Sequence, residues 1–284
     1  MSTVYDFTDH SPTWCPGCGD WGINMAVRRS FVEKGWDPSS LMVIFGIGCS
    51  GNMNDFLNSY AFHSLHGRAI ATAVGAKLAH HNLPVVVVAG DGDTYGEGGN
   101  HFMHACRGNH DISLIVHDNG VYGLTTGQVA PTSLKGSKGK STPGGLIERP
   151  VSPLALAITQ GATFVAQTFA GDMDHMIKTI VAGLNHRGFS LVNILQPCVT
   201  FNNVNTYQYY HERSYKLPED YDPTNFEEAV KKACEMDNEK YPLGIIYTND
   251  RAPYHELAIP NHKKFSLRDK EQFTDVDSLM KEFM

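Results

Sequence analysis

The stretch Pro84-Val-Val-Val-Val-Ala-Gly-Asp-Gly-Asp93 decides the fold. A run of valines with no polar alternation marks a strand buried on both faces, the kind found in parallel sheets covered by helices. It stops at Gly90-Asp-Gly-Asp93, where the chain must turn tightly. Next, Gly98–Arg107 reads as a helix and Ile112-Ser-Leu-Ile-Val-His117 as another strand, which runs into Asp118-Asn-Gly-Val-Tyr-Gly123. Outward from this centre, Leu41–Ile47, Thr163–Gln167 and Ser190–Leu195 read as strands. His66–His81, Pro153–Gln160 and Asp172–His186 read as helices. Repeated strand–helix–strand order predicts an α/β fold, a mostly parallel sheet with right-handed crossovers and helices on both faces. Ligands of such sheets collect at the carboxyl ends of the strands.

The pattern breaks near residue 200. Residues 1–200 are expected to form the functional domain, and residues 201–284, rich in Tyr, Pro, Asn and charge, an extension packing on that core or on a partner. Lys plus Arg number 23 against 30 Asp plus Glu, a net charge of −7, which argues against a nucleic-acid grip built on phosphate neutralisation. At 42% hydrophobic residues the chain can bury a sizeable core, and no apolar run reaches the ~20 residues that span a bilayer. The start, MSTVYDFTDH, lacks a basic segment followed by an apolar one, so the expected location is cytoplasmic.

The two strand-end turns have the chemistry of a magnesium diphosphate site. A hard dication takes oxygen ligands in near-octahedral order. Asp91 offers a carboxylate, Asn119 an amide oxygen and Val121 a backbone carbonyl. The glycines let the backbone approach phosphates without a Cβ in the way. A helix beginning near Glu97 would aim its amino end at the anion. Gly-Asp-Gly alone is common in turns, but Asp118-Asn119 follows twenty-five positions after Asp93 with one helix and one strand between. That spacing resembles the motif of thiamine diphosphate (ThDP) enzymes. Asp93 reads equally as a phosphate-side contact or a turn residue.

Six cysteines are present. Cys15-Pro-Gly-Cys18 is a CxxC on a Gly/Pro turn, which lets two sulfurs face one metal centre. Cys49, in Gly48-Cys-Ser-Gly51, and Cys198, in Gln196-Pro-Cys198, each follow an apolar run, where strands end. Residue types alone leave those two open as ligands, and spacing does not separate zinc from iron–sulfur. Cys106 and Cys234 read as small buried apolar side chains.

The resemblance then widens. Trp14-Cys-Pro-Gly-Cys-Gly19, Gly46-Ile-Gly-Cys-Ser50, His66-Gly-Arg68, Gly90-Asp-Gly-Asp93, Gly99-Asn-His101, Asn119-Gly-Val-Tyr-Gly-Leu-Thr-Thr-Gly-Gln128 and Gln196-Pro-Cys198 occur in this order. Together they resemble the β subunit of the 2-oxoacid:ferredoxin oxidoreductases, over roughly residues 12–200. The resemblance implies ThDP, Mg²⁺ and one [4Fe–4S] cluster. It places the cluster on Cys15, Cys18, Cys49 and Cys198, and the cation on Asp91, Asn119 and the Val121 carbonyl. It puts ThDP contacts on Ile47, Gly48, Cys49, Ser50, His66, Gly92, Asp93, Gly123 and Leu124.

The implied activity is coenzyme A-dependent oxidative decarboxylation of a 2-oxoacid, 2-oxoglutarate or pyruvate first, with electrons passing through the cluster to ferredoxin. The activating Glu of ThDP enzymes is expected from a partner α subunit, in a heterodimer or heterotetramer; Glu97 reads as a helix-start residue balancing the dipole. Thr125 and Thr126 follow the cation ligands, and Thr126 is the candidate substrate contact. The basic segment Lys135–Pro143 reads as a solvated loop or as a contact for coenzyme A phosphates or an acidic ferredoxin. Two rival readings are a non-redox ThDP carboligase or decarboxylase, which leaves the cysteines unexplained, and a zinc-stapled binding module, which leaves Gly-Asp-Gly and Asp-Asn without purpose.

Overall fold

A computed structural model of the chain describes residues 2–259 and 280–281. Its strands are β1 (Met42–Phe45), β2 (Tyr60–His63), β3 (Val85–Gly90), β4 (Ser113–Asp118), β5 (Val121–Tyr122), β6 (Gln128–Val129), β7 (Phe164–Phe169), β8 (Ser190–Leu195), β9 (Ser214–Lys216) and β10 (Tyr241–Thr248). Its α-helices are α1 (Gly19–Glu33), α2 (Ala69–Ala79), α3 (Gly99–Gly108), α4 (Pro153–Thr159), α5 (Met173–Asn185), α6 (Tyr207–Arg213), α7 (Phe226–Ala233) and α8 (Tyr254–Ala258).

Eight strands form one sheet in the order β2-β1-β3-β4-β8-β7-β10-β9, and β5–β6 is a separate hairpin. From β2 to β7 every neighbour is parallel; β10 runs antiparallel to β7. The four central strands β3, β4, β8 and β7 are buried along nearly their whole length, as their uninterrupted apolar runs require. On one face, α1 and α5 cover a core containing Ile23, Phe31, Phe45 and Ile180. On the other, α2, α3, α4 and α7 cover Ala73, Phe102, Leu114 and Ala229.

Residues beyond 200 contribute β9 and β10 to the same sheet, and α7 to the second core. Cys106 is fully buried in α3, but Cys234 is exposed where α7 ends, not the buried apolar side chain expected of it. A difference also arises after β3. Gly92–Glu97 forms one wide helical turn, closed by Gly98 N–H donating to Asp93 O at 2.8 Å, and α3 starts only at Gly99. The helical turn after β3 therefore begins at Gly92, with Asp91 as its cap, and Glu97 is its last residue. Wide turns of this kind concentrate at functional sites. No helix among the described residues is long and apolar enough to cross a membrane.

Phe31, on α1, packs in the same core as the sheet residue Phe45 and meets Phe7 at a tilt, ring centroids 5.5 Å apart, with no solvent exposure. Phe31→Ala is expected to cost ~3–5 kcal/mol through lost burial and a cavity. Denaturant titration checks it; a cost below ~1 kcal/mol would show that the α1 layer collapses around the gap or lies outside the cooperative unit.

Candidate active site

The carboxyl ends of β1, β3 and β4 open on one cavity. Its lining includes every residue assigned above to the cation or to ThDP: Ile47, Gly48, Cys49, Ser50, His66, Asp91, Gly92, Asp93, Asn119, Val121, Gly123 and Leu124. Glu97, Tyr122 and Thr125 also line it. Thr126 does not; it is exposed, and its hydroxyl accepts a bond from Lys140 Nζ at 3.3 Å.

Asp91 is buried, and its Oδ2 accepts from Thr132 Oγ1 at 2.6 Å. The same hydroxyl lies 2.7 Å from Asp118 Oδ1. Burial, then the nearby Asp118 carboxylate, pushes the Asp91 carboxyl up to about 8. Burial likewise raises Asp118, whose Oδ2 accepts from Asn193 Nδ2. A desolvated carboxylate beside another is costly until a cation offsets it. The donors lining the cavity fit a hard dication: the buried Asp91 carboxyl, the Asn119 amide oxygen and the backbone at Val121.

Asp93 has a different task. Its Oδ1 accepts from the backbone N–H groups of Ile47 at 3.3 Å and Gly67 at 2.8 Å, tying the Gly46–Ser50 turn to the loop carrying His66. A carboxylate so engaged shapes the cradle. The cradle also fits an anion. Ser50 Oγ is buried without a hydrogen-bond partner, and a Cβ on Gly48 (φ +119) would meet nothing within 4 Å. Tyr122 lies across Gly92: its OH donates to Gly92 O at 3.1 Å, and a Cβ on Gly92 would stand 2.4 Å from the ring.

Cys15, Cys18, Cys49 and Cys198 line a second cavity together with Trp14 and Phe201. Pro16 and Gly17 (φ +82) occupy the centre of a tight turn closed by Cys18 N–H to Cys15 O at 3.0 Å, and both cysteines line the cavity. Trp14 Nε1 donates to Cys49 O at 2.7 Å and Trp21 Nε1 to Cys15 O at 3.2 Å, pinning both loops. Cys198 follows β8. Burial pushes the Cys49 thiol up to about 12 and raises Cys18 further. Cys18 Sγ also faces Asp20 Oδ2 at 3.3 Å, and Asp20 Oδ1 meets His117 Nδ1 at 2.6 Å.

Among the described residues, no three His, Cys, Asp or Glu side chains converge closely enough to grip one metal ion. The four thiols nevertheless line one cavity, and cysteine thiolates are the residues that hold iron–sulfur clusters. The two cavities share a wall: Cys49, Gly123 and Leu124 line both. A Cβ on Gly123 would lie 3.4 Å from Cys49 Sγ and 3.8 Å from Cys198 Sγ.

Sequence reasoning missed Thr132, which clamps the two carboxyls; it sits in Pro131-Thr-Ser133, where no local pattern signals a role. Tyr122 lay inside a quoted motif, and its ring position on Gly92 explains why that position has no side chain.

The comparisons with known proteins agree with this geometry. Residues 46–194 match the thiamine pyrophosphate enzyme C-terminal TPP-binding domain, and residues 198–263 match the C-terminal region of the pyruvate ferredoxin oxidoreductase β subunit. The 2-oxoacid:ferredoxin oxidoreductase subunit β of a Sulfolobus species is 44% identical over 265 residues, 89% of this chain and 87% of that one. The Saccharolobus solfataricus subunit of the same name is 40% identical, over 95% of each chain. The chain belongs to the 2-oxoacid:ferredoxin oxidoreductase β-subunit family. A solved 2-oxoglutarate:ferredoxin oxidoreductase from Magnetococcus marinus superposes with a TM-score of 0.90 at 37% identity, covering 99% of this chain and 96% of that one. This chain therefore contains a thiamine diphosphate-binding domain, and its enzyme class is oxidoreductase.

The Tyr122–Gly92 contact gives a stability test. Gly92→Ala alone is expected to cost ~1–3 kcal/mol by overpacking. In a Tyr122→Ala background that cost should vanish, which a double-mutant cycle of thermal unfolding detects. Additive effects would show that the ring yields freely.

Proposed function

We propose that this β subunit holds ThDP, Mg²⁺ and a [4Fe–4S] cluster on one rim of the sheet. With an α subunit in the cytoplasm it oxidatively decarboxylates a 2-oxoacid, transferring the acyl group to coenzyme A and electrons to ferredoxin. The observation that carries this reading is the shared wall: Cys49, Gly123 and Leu124 line both the diphosphate-type cavity and the four-thiol cavity. A non-redox ThDP enzyme has no use for that second cavity.

Asp91, Asn119 and the Val121 carbonyl hold the cation, with Thr132 fixing the Asp91 carboxylate through its Oδ2. Ser50 Oγ, His66 and the open backbone at Gly48 receive the diphosphate. Bound ThDP supplies the electron sink for loss of CO₂, and the cluster takes up single electrons. Glu97 stands exposed on the cavity rim. The activating Glu is assigned to the α subunit, so the cofactor lies between subunits. For substrate, 2-oxoglutarate comes first: the Magnetococcus marinus structure holds 2-oxoglutarate, coenzyme A and succinyl-CoA, and an Archaeoglobus fulgidus relative, 43% identical over 198 residues, is a 2-oxoglutarate synthase subunit.

Co-expression with the α subunit under anaerobic conditions should give brown protein that reduces methyl viologen with coenzyme A and 2-oxoglutarate. Colourless protein holding ThDP would return the chain to the non-redox class. In that complex Asp91→Ala should lower Mg²⁺-dependent ThDP affinity at least a hundredfold, about 2.7 kcal/mol, by removing the anionic ligand; unchanged affinity by calorimetry dismisses the assigned cation site. Cys198→Ser should lose most cluster iron while still binding ThDP. Full iron content in that variant takes Cys198 off the ligand set.

A further inference from the structure

Gln196 lines neither cavity, yet it touches a ligand residue of each. It is 1% exposed, and its backbone N–H donates to Asp118 O at 2.8 Å, extending the β4–β8 ladder. Its side-chain Nε2 lies 3.3 Å from Cys18 Sγ. Its Oε1 accepts from Asn119 Nδ2 at 3.1 Å. The orientation of both amides follows from one fixed donor. Val121 N–H donates to Asn119 Oδ1 at 3.0 Å, so Asn119 turns its NH₂ toward Gln196. Gln196 must then present oxygen to Asn119, which leaves its NH₂ for the sulfur.

The neighbouring chain leaves room for this arrangement. A Cβ on Gly19 would stand 2.5 Å from Gln196 Cγ, so the glycine after Cys18 is where the glutamine side chain lies. Gly19 N–H also donates to Pro197 O at 3.3 Å, locking the two segments together.

We infer that Gln196 is the positioning residue that couples the two centres: it donates a hydrogen bond to the Cys18 sulfur and fixes the Asn119 amide beside the cation. The inference rests on the cofactor reading proposed above. A donor to a ligating sulfur favours the more negative, reduced cluster and so raises its potential. The oxygen half of the same amide holds Asn119 in the rotamer whose Oδ1 is pinned by Val121 N–H.

The test uses the anaerobic αβ complex. Gln196→Met removes both hydrogen bonds at similar volume. Redox titration followed by electron paramagnetic resonance should show its potential lowered by about 59 mV, a tenfold shift toward the oxidised cluster for one electron. Calorimetry should show weaker Mg²⁺-dependent ThDP binding in the same variant. Full iron with an unchanged potential, or unchanged ThDP affinity, overturns the coupling role. If Gln196→Met loses iron, the unmutated complex decides: protein labelled with ¹⁵N only in glutamine side chains should show hyperfine coupling to the reduced cluster, and its absence overturns the inference. Unmutated complex that holds no iron overturns the wider cofactor reading instead.

Discussion

The site exists because parallel strands finish level with one another. In the ladder β1-β3-β4-β8, Phe45 pairs with Val88, Gly90 with His117 and Asp118 with Leu195. Parallel strands all present their carboxyl ends to the same rim, so four separate turns converge without any of them being near in sequence. The turn after β1 brings Cys49 and Ser50, and the turn after β3 brings Asp91. The turn after β4 brings Asn119 and Val121, and the turn after β8 brings Cys198. A sheet with one of these strands reversed would send its turn to the opposite rim.

Convergence has a cost that the apolar sheet cannot meet alone. Asp91 and Asp118 are buried at adjacent strand ends, and Thr132 has one hydroxyl proton for both. Asn193 and the Asn119 backbone amide supply part of the balance. In the proposed holoenzyme a cation supplies the rest. The four-thiol cavity follows the same logic: burial opposes the thiolate form at Cys18 and Cys49, a cost that the metal centre of the proposed holoenzyme offsets.

How much of this was legible depends on how local each signal is. The central strands are readable because valine and isoleucine runs need no partner to be recognised, and Ser190–Leu195 appears with the boundaries expected. Helix α1 is harder: its buried face includes Asp20, Asn24, Arg28 and Ser30, so no clean apolar stripe announces it. Strand β2, at one edge of the sheet, and β10, next to the other edge, are also hidden. Every residue of β2 is exposed, while β10 contains Pro242 and Gly244 and shifts register between Ile245 and Tyr247. At the site, Cys15, Cys18 and the Asp-Asn turn were visible as spacing, whereas Cys49 and Cys198 were marked out only by the family resemblance. Thr132 and Gln196 act through contacts across 41 and 178 positions of chain, respectively, which no window of sequence displays.

The hairpin β5–β6 shows how firmly the shared wall is held. Its turn carries Gly123, Leu124 and Thr125 to the cavities and then passes through Thr126 at φ +75. A β-branched residue in the left-handed region is strained, by an amount on the order of 1–3 kcal/mol. The strain is met by local bonds: Thr126 N–H donates to Gly123 O at 3.1 Å, and Gly127 N–H to Tyr122 O at 2.9 Å. Gly127 itself, at φ +104, lies against Phe201, whose ring would be 3.2 Å from an added Cβ. Phe201 belongs to the four-thiol cavity, and Tyr122 to the diphosphate-type cavity. A single tight turn is therefore clamped from both sides by residues of the two centres, which keeps their common wall thin and fixed.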